Sequence, residues 1–243
     1  MIFMKQQVAE NPVKNRRDRM NPLTVVTAFM VTLYLVSNVM AVKVISVKGI
    51  SLFDAGTITF PLAYMLGDVL TEIWGFKTAR KVIYLTFACN VLFVFCTAVG
   101  LILPAPEYME ETNNAYATVF GYVPRIVISS LFAFLFGELS NAYFMEKIKK
   151  WTRGKHMWMR TIGSSMVGYI FDTVFFVIFA FGGTVPAWDI FTMIAIQYVA
   201  KLGIEALSGT PLAYAAVHWL KKYYNDYENN YENNYENNYE NNK

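Results

Sequence analysis

LFDAGTITFPLAYMLGDVLTEIW, residues 52–74, is the stretch whose reading decides the fold. It is long enough for one crossing of a bilayer, because about 20 helical residues span the roughly 30 Å of hydrocarbon. Past Asp54 at its start, the apolar run is nevertheless interrupted by a proline, Pro61, and by two acids, Asp68 and Glu72. Tyr64, Asp68 and Glu72 follow Pro61 at offsets of three, seven and eleven, which puts them on one helical face. A charge at mid-membrane costs about 2.5 to 3.5 kcal/mol even on lenient scales, so such residues face a polar cavity or one another. Two carboxylates one turn apart repel unless a proton or a cation intervenes. The face therefore reads as a site for a proton or for a cationic, hydrogen-bonding solute. Asp68 is the deeper of the two, and Glu72 also suits plain contact with cytoplasmic water near the inner boundary.

Working outward, five more apolar segments of spanning length appear at Pro22–Val42, Arg80–Leu103, Val123–Lys147, Trp158–Gly182 and Trp188–Leu220. The fold class is all-α, a polytopic integral membrane protein of six transmembrane helices. Pro61 is expected to break the second helix, and Gly209 with Pro211 the sixth, since proline removes a donor and clashes with the preceding turn. Residues 1–21 form a basic cytoplasmic arm resembling a signal anchor, 22–222 the transmembrane domain, and 223–243 a low-complexity tail. That tail repeats Tyr-Glu-Asn-Asn, has no apolar face and reads as disordered. Lys and Arg cluster in the arm, at 77–81, at 147–155 and at 221–222, whereas 104–123 and 183–188 have none. By the positive-inside rule both termini are cytoplasmic.

The 243 residues are 55% hydrophobic and 16% aromatic with a net charge of +3, too apolar for an ordinary soluble domain and without the basic stripe that nucleic acid requires. Cys89 and Cys96 lie on one apolar face and read as small hydrophobes; no metal site and no cofactor is implied. In the fifth segment Thr161, Ser165, Gly168 and Asp172 form a single stripe. Asp172 needs a base from another helix, and Arg125 and Lys201 are the candidates, with Glu205 one turn beyond Lys201. A structural ion pair is the alternative to a solute site. Arg160 and Glu138 read as structural: Arg160 is placed to snorkel to the cytoplasmic boundary, and Glu138 is off the Arg125 face. Phe60 and Tyr64 flank the proline, where a flat solute can stack. Trp74, Trp158 and Trp188 read as interfacial belt residues.

Ser37-Asn38, then Gly56 through Pro61, Asp68, Gly75, Ala79-Arg80, Arg125, Arg160 through Ser164-Ser165 to Asp172-Thr173, Ala180-Phe181, Lys201 and Pro211 are polar or helix-breaking residues inside apolar runs. In this order, over about Pro22 to Lys222, they resemble the queuosine-precursor transporters, also known as vitamin-uptake-transporter-like proteins. More distantly they look like the membrane-embedded binding subunits of energy-coupled vitamin importers. The resemblance implies a bacterial inner-membrane carrier importing 7-cyano-7-deazaguanine (preQ0) and/or 7-aminomethyl-7-deazaguanine (preQ1), precursors of queuosine. The chain departs from the pattern at Gly168-Tyr169, where relatives often carry a polar residue.

A deazaguanine presents an amino group and ring N–H donors beside a carbonyl. A carboxylate, Asp172 or Asp68, with Glu72 nearby, accepts from the donors while Arg125 or Lys201 donates to the carbonyl. Asn38 and Ser165 add hydrogen-bonding capacity, and Phe60 or Tyr64 the stacking face. An energy-coupled binding subunit is the alternative, since the chain has no phosphate-binding Gly-rich loop of its own. An intramembrane enzyme is more remote, because His156 and His218 fall at cytoplasmic boundaries; the chain is read as a non-enzyme. The implied partners are the small-molecule solute and the lipid bilayer, with a homodimer left open.

Overall fold

The computed structural model describes residues 21–47, 50–121, 124–183 and 186–240. The basic arm thus lies outside the described residues. Helix α1, Pro22–Met40, begins with a proline at its first position behind Asn21, whose side chain accepts from Leu23 N at 3.0 Å. A short antiparallel hairpin follows, β1 Val44–Val47 and β2 Ile50–Asp54, with Val44 opposite Asp54 and Val47 opposite Ile50. Then come α2 Gly56–Trp74, α3 Phe76–Ile102, a 3-10 turn Glu107–Met109 with α4 Glu110–Phe120, α5 Pro124–Trp151 and α6 Met157–Phe181. The last helical run is α7 Ala187–Ile204, a π-helical turn Glu205–Gly209, and α8 Thr210–Glu240.

The fold is helical throughout apart from the hairpin, as read from the sequence, but neither proline breaks its helix. The hairpin takes up Ile50–Asp54, so α2 starts at Gly56 instead of Leu52 and Pro61 falls early in the helix, which continues through it. Pro61 forfeits one backbone donor there without changing the axis enough to end the helix. In the last run the π turn absorbs the strain: an extra residue per turn widens the helix ahead of Pro211, and the helical backbone stays continuous. The helix also carries on to Glu240 through the Tyr-Glu-Asn-Asn repeat, where composition alone points to disorder; a four-residue repeat is close to the helical period.

Among the described residues, four stretches are long and apolar enough to cross a membrane: Pro22–Met40, Phe76–Ile102, Met157–Phe181 and the run Ala187–Asn225. The other two long helices, α2 and α5, carry the buried Asp68, Glu72, Glu138 and Asn141. Of the two, α2 is the helix that the others surround. α2 buries most of its length. On one side Ala63 and Leu70 of α2 meet Met30 and Tyr34 of α1, Ala79 and Ile83 of α3, and Phe134 and Ala142 of α5. On the other, Met65 and Val69 meet Met157, Ala213, Val217 and Leu220. Phe29, Leu92, Phe95, Phe132, Phe179 and Val199 point outward, the arrangement of a helix bundle dissolved in lipid. Trp158 and Trp188 are exposed as expected of a belt, whereas Trp74 packs partly buried against both clusters.

Two glycine contacts fix the centre of the bundle. α5 and α6 approach until a Cβ on Gly168 would lie 3.1 Å from the Gly137 carbonyl oxygen, and a Cβ on Gly137 would lie 2.2 Å from Tyr64 Oη. Close approach through small residues is the usual basis of helix association in lipid. Gly75, at φ 77°, turns the chain from α2 directly into α3.

Candidate functional site

Among the described residues, the buried charged side chains form three tiers along the bundle. At the end where α2 finishes and α6 begins, Glu72 is 6% exposed and meets three cations from three helices. Arg160 Nη2 is 3.0 Å from Glu72 Oε2, Lys149 Nζ 3.3 Å from the same oxygen, and Lys221 Nζ 3.6 Å from Oε1. Lys149 also donates to the Glu72 carbonyl at 2.7 Å, and Arg160 Nη1 to that of Lys155 at 2.8 Å. Glu72 therefore clasps α2, α5, α6 and α8. Arg160, expected to snorkel outward, is instead 2% exposed, because Glu72 supplies a counter-charge inside the bundle.

The middle tier lies between α2, α5, α6 and the π turn. Asp68 Oδ1 accepts from Asn141 Nδ2 at 2.9 Å, while Asp68 Oδ2 has no hydrogen-bond partner. Glu138 is fully buried, rests on α2 where Gly67 has no side chain, and neither of its carboxylate oxygens is hydrogen-bonded. Tyr169 donates to Glu205 Oε2 at 3.1 Å, and its ring lies 4.5 Å from that of Tyr64. Tyr64 Oη, Ser165 Oγ and Glu205 Oε1 are buried with no hydrogen-bond partner. The π turn is what carries Glu205 inward, folding its carboxylate over Gly209.

In the third tier Lys201 of α7 reaches Asp172 of α6 in an ion pair, with side chains 7% and 9% exposed. Lys201 Nζ is also 3.4 Å from Thr173 Oγ1 and 5.7 Å from the centre of the Phe60 ring. Lys201 is thus the base for Asp172 that the sequence requires. Arg125, the other candidate, sits in the first turn of α5 and its side chain is outside the described residues. The Phe60 ring in turn meets Tyr34 edge-on at 5.6 Å.

Of the residues expected at a solute site, Phe60, Tyr64, Asp68, Ser165, Asp172 and Lys201 come together in the middle and third tiers. Glu72 stands apart in the ionic clasp. Asn38 also stands apart, in a separate polar knot: its Nδ2 donates to Asn90 Oδ1, its Oδ1 accepts from Ser130 Oγ at 3.3 Å, and Asn90 donates to the Thr86 carbonyl at 3.1 Å. Both ends of the Asn38 amide are already engaged by protein groups. Sequence reasoning missed Asn141 and Asn90 and undervalued Glu138. The cost that singles out ionisable residues in apolar runs applies to buried amides too, so the same search extended to asparagine finds both. Tyr169 makes its turn aromatic and still polar, since its hydroxyl reaches Glu205.

Chemically the middle tier offers buried acceptors on three carboxylates, hydroxyls on Tyr64 and Ser165, and two facing aromatic rings. That set suits a flat, donor-rich molecule. Among the described residues no cluster of His, Cys, Asp and Glu could hold a metal ion.

Comparison with known proteins agrees with this architecture. The chain is similar to the "Probable queuosine precursor transporter" of Bacillus subtilis (strain 168), with 31% identity over 182 residues, 74% of this chain and 78% of the relative. It is similar at 22% identity to the "Queuosine precursor transporter" of Escherichia coli (strain K12), over 52% of this chain and 54% of that one. A Haemophilus influenzae (strain ATCC 51907 / DSM 11121 / KW20 / Rd) protein, "Probable queuosine precursor transporter", is 23% identical over 52% of this chain and 51% of its own length. The match thus spans about half the length of these last two. No solved structure matches the chain significantly. Residues 54–216, which include every side chain of the middle and third tiers, match the family described as "Putative vitamin uptake transporter", and the chain is a multi-pass, helical membrane protein that belongs to that family.

Proposed function

We propose that this protein is a secondary carrier that brings deazaguanine precursors of queuosine across the inner membrane of a bacterium. In this reading it crosses six times and keeps both termini in the cytoplasm. The observation that carries the proposal is the middle tier, where Tyr64, Asp68, Glu138, Ser165 and Glu205 all keep buried polar atoms without hydrogen-bond partners. Each such atom costs about 1 to 3 kcal/mol when left unmatched, so the group is one that a solute completes. The names of the relatives supply the solute class. Glu205 Oε1 accepts from the amino and ring N–H groups of the base, the Tyr64 and Ser165 hydroxyls donate to its carbonyl, and the Tyr64 and Tyr169 rings provide a stacking face. Lys201 and Asp172, side by side under Phe60, border the site.

Every group of the middle tier is buried, so solute moves only when the helices part. The clasp on Glu72 closes the bundle at the positively charged, cytoplasmic end. Its ion pairs separate when solute leaves on that side, and the Asn38, Asn90 and Ser130 knot is the corresponding junction towards the outside.

The test is queuosine salvage. In a bacterium unable to make or import queuosine precursors, expression of this protein restores queuosine in tRNA when either deazaguanine is supplied at micromolar concentration, an ordinary range for a salvage carrier of about −8 kcal/mol affinity. Unmodified tRNA with the protein verified in the membrane overturns the assignment. In liposomes the purified chain alone moves solute, whereas an energy-coupled binding subunit only binds it.

A further inference from the structure

The middle of the bundle holds more carboxyl groups than buried cations to answer them. Asp68, Glu138, Asp172 and Glu205 are all buried there, and among the described residues Lys201 is the one buried cation beside them. Lys201 is already engaged by Asp172. Arg160 is held by Glu72 at the cytoplasmic clasp. Arg125 stands thirteen residues before Glu138 on the same helix, about 20 Å along the axis. Glu138 is the extreme case, at 0% exposure with both oxygens unpartnered.

Glu138 does not stand alone. Asn141, one turn along α5, reaches across to Asp68, and Gly67 next to Asp68 is the residue on which Glu138 rests. Glu138 and Asp68 therefore share the seam between α2 and α5, and Asp68, Asp172 and Glu205 all act on Glu138 electrostatically. The bundle also contains a pattern for what is missing. The ammonium of Lys201 is received by a carboxylate, a hydroxyl and the face of an aromatic ring, from Asp172, Thr173 and Phe60. The middle tier has the same ingredients without the ammonium: the Glu138 and Asp68 carboxylates, the Ser165 hydroxyl, and the Tyr64 and Tyr169 rings.

We infer that the Glu138 carboxylate, with Asp68, is a receptor for a primary ammonium group on the solute, so that this carrier selects the aminomethyl over the cyano deazaguanine. The inference rests on the function proposed above and adds its charge selectivity. The ammonium of the aminomethyl compound replaces the missing cation between Glu138 and Asp68, while a nitrile is an acceptor and meets two carboxylates that are acceptors as well. Glu138 is a binding residue in this account, not a piece of the core.

Binding of each compound to the purified protein in detergent at neutral pH, by calorimetry, tests this. Wild type is expected to bind the aminomethyl compound at least about tenfold more tightly, the size of one charge-assisted hydrogen bond. Glu138→Gln is expected to lose at least about thirtyfold for that compound, as truncation of one partner of a buried charge pair does, and to leave the cyano compound within about twofold. Equal affinities in wild type, or equal losses for both compounds in the variant, overturn the inference and leave the carrier assignment standing. Binding of neither compound by wild type overturns both. Should Glu138→Gln fail to accumulate, the wild-type preference decides alone.

Discussion

Asp172→Asn keeps the shape of its side chain and removes the charge that answers Lys201. What remains around the Lys201 ammonium is the Thr173 hydroxyl at 3.4 Å and the Phe60 ring at 5.7 Å. Both contacts exist already in the parent, so neither is a new compensation. With its side chain only 7% exposed, Lys201 has no water to turn to. Breaking one side of a buried ion pair costs about 3 to 5 kcal/mol, a large part of the roughly 5 to 15 kcal/mol that holds a typical protein folded. Membrane abundance and the midpoint of thermal unfolding, followed by size-exclusion of a fluorescent fusion in detergent, should both fall clearly. The double variant Asp172→Asn with Lys201→Met removes the stranded charge and should recover most of the loss, because residues in direct contact are not additive. Uptake per unit of membrane protein separates stability from solute contact: it stays low in the double variant because the border of the site has changed. A single variant as stable as the parent, or a double variant no more stable than the single, would refute the reasoning about the pair.

Three further outcomes are expected. Gly137→Ala places a methyl 2.2 Å from Tyr64 Oη and 2.8 Å from Asp172 Cβ, so overpacking of about 1 to 3 kcal/mol should lower thermal stability and uptake together. Gly203→Ala, with nothing within 4 Å, is the control and should leave both unchanged. Glu72→Gln strands the buried Arg160 and should destabilise by about 3 to 5 kcal/mol, whereas Lys149→Ala, whose side chain is 34% exposed, should cost about 1 kcal/mol or less by the same unfolding assay. Cytoplasm-dependent fluorescent reporters fused after Lys150 or Lys222 should be bright and those inserted at 107–114 dark; brightness at the latter position would overturn the proposed orientation.

The helices were legible because each apolar run is bounded by charge or glycine, and a spanning helix needs nothing else to be recognised. Their ends were less so. Leu52–Asp54 reads as the start of an apolar segment, yet it belongs to the strand Ile50–Asp54 that pairs with Val44–Val47, and that pairing depends on a partner strand, not on its own composition. The two prolines misled for a related reason. A proline is costly where the helix around it is otherwise regular, but Pro61 lies near a start set by the hairpin, and Pro211 follows a π turn that local sequence does not announce. Asp68, Asp172 and Lys201 were found from the cost of charge in hydrocarbon, which is a property of one residue in one segment. Which charge meets which is a property of two helices. Lys201 answers Asp172, and Arg160 turns inward to Glu72, because of where α6 lies relative to α7 and α2.

Glu138 shows why that distinction matters for function. Judged by its own helix, it sits off the face that bears Arg125 and has no role. Its setting comes from α2, where Gly67 leaves room against which a carboxylate can lie, since a Cβ at that position would be 2.6 Å from Glu138 Oε2. At the clasp the chain has matched its buried acid with three cations, and at Asp172 with one, so it has the means to neutralise a carboxylate where stability alone is at stake. In the seam between α2 and α5 it has not done so. Local rules broken without compensation within the protein collect where something else completes the arrangement. The Glu138 carboxylate is completed by what the carrier binds, and the test of that statement is whether Gly67→Ala, which displaces this carboxylate without touching its charge, weakens aminomethyl-deazaguanine binding while the cyano compound is spared.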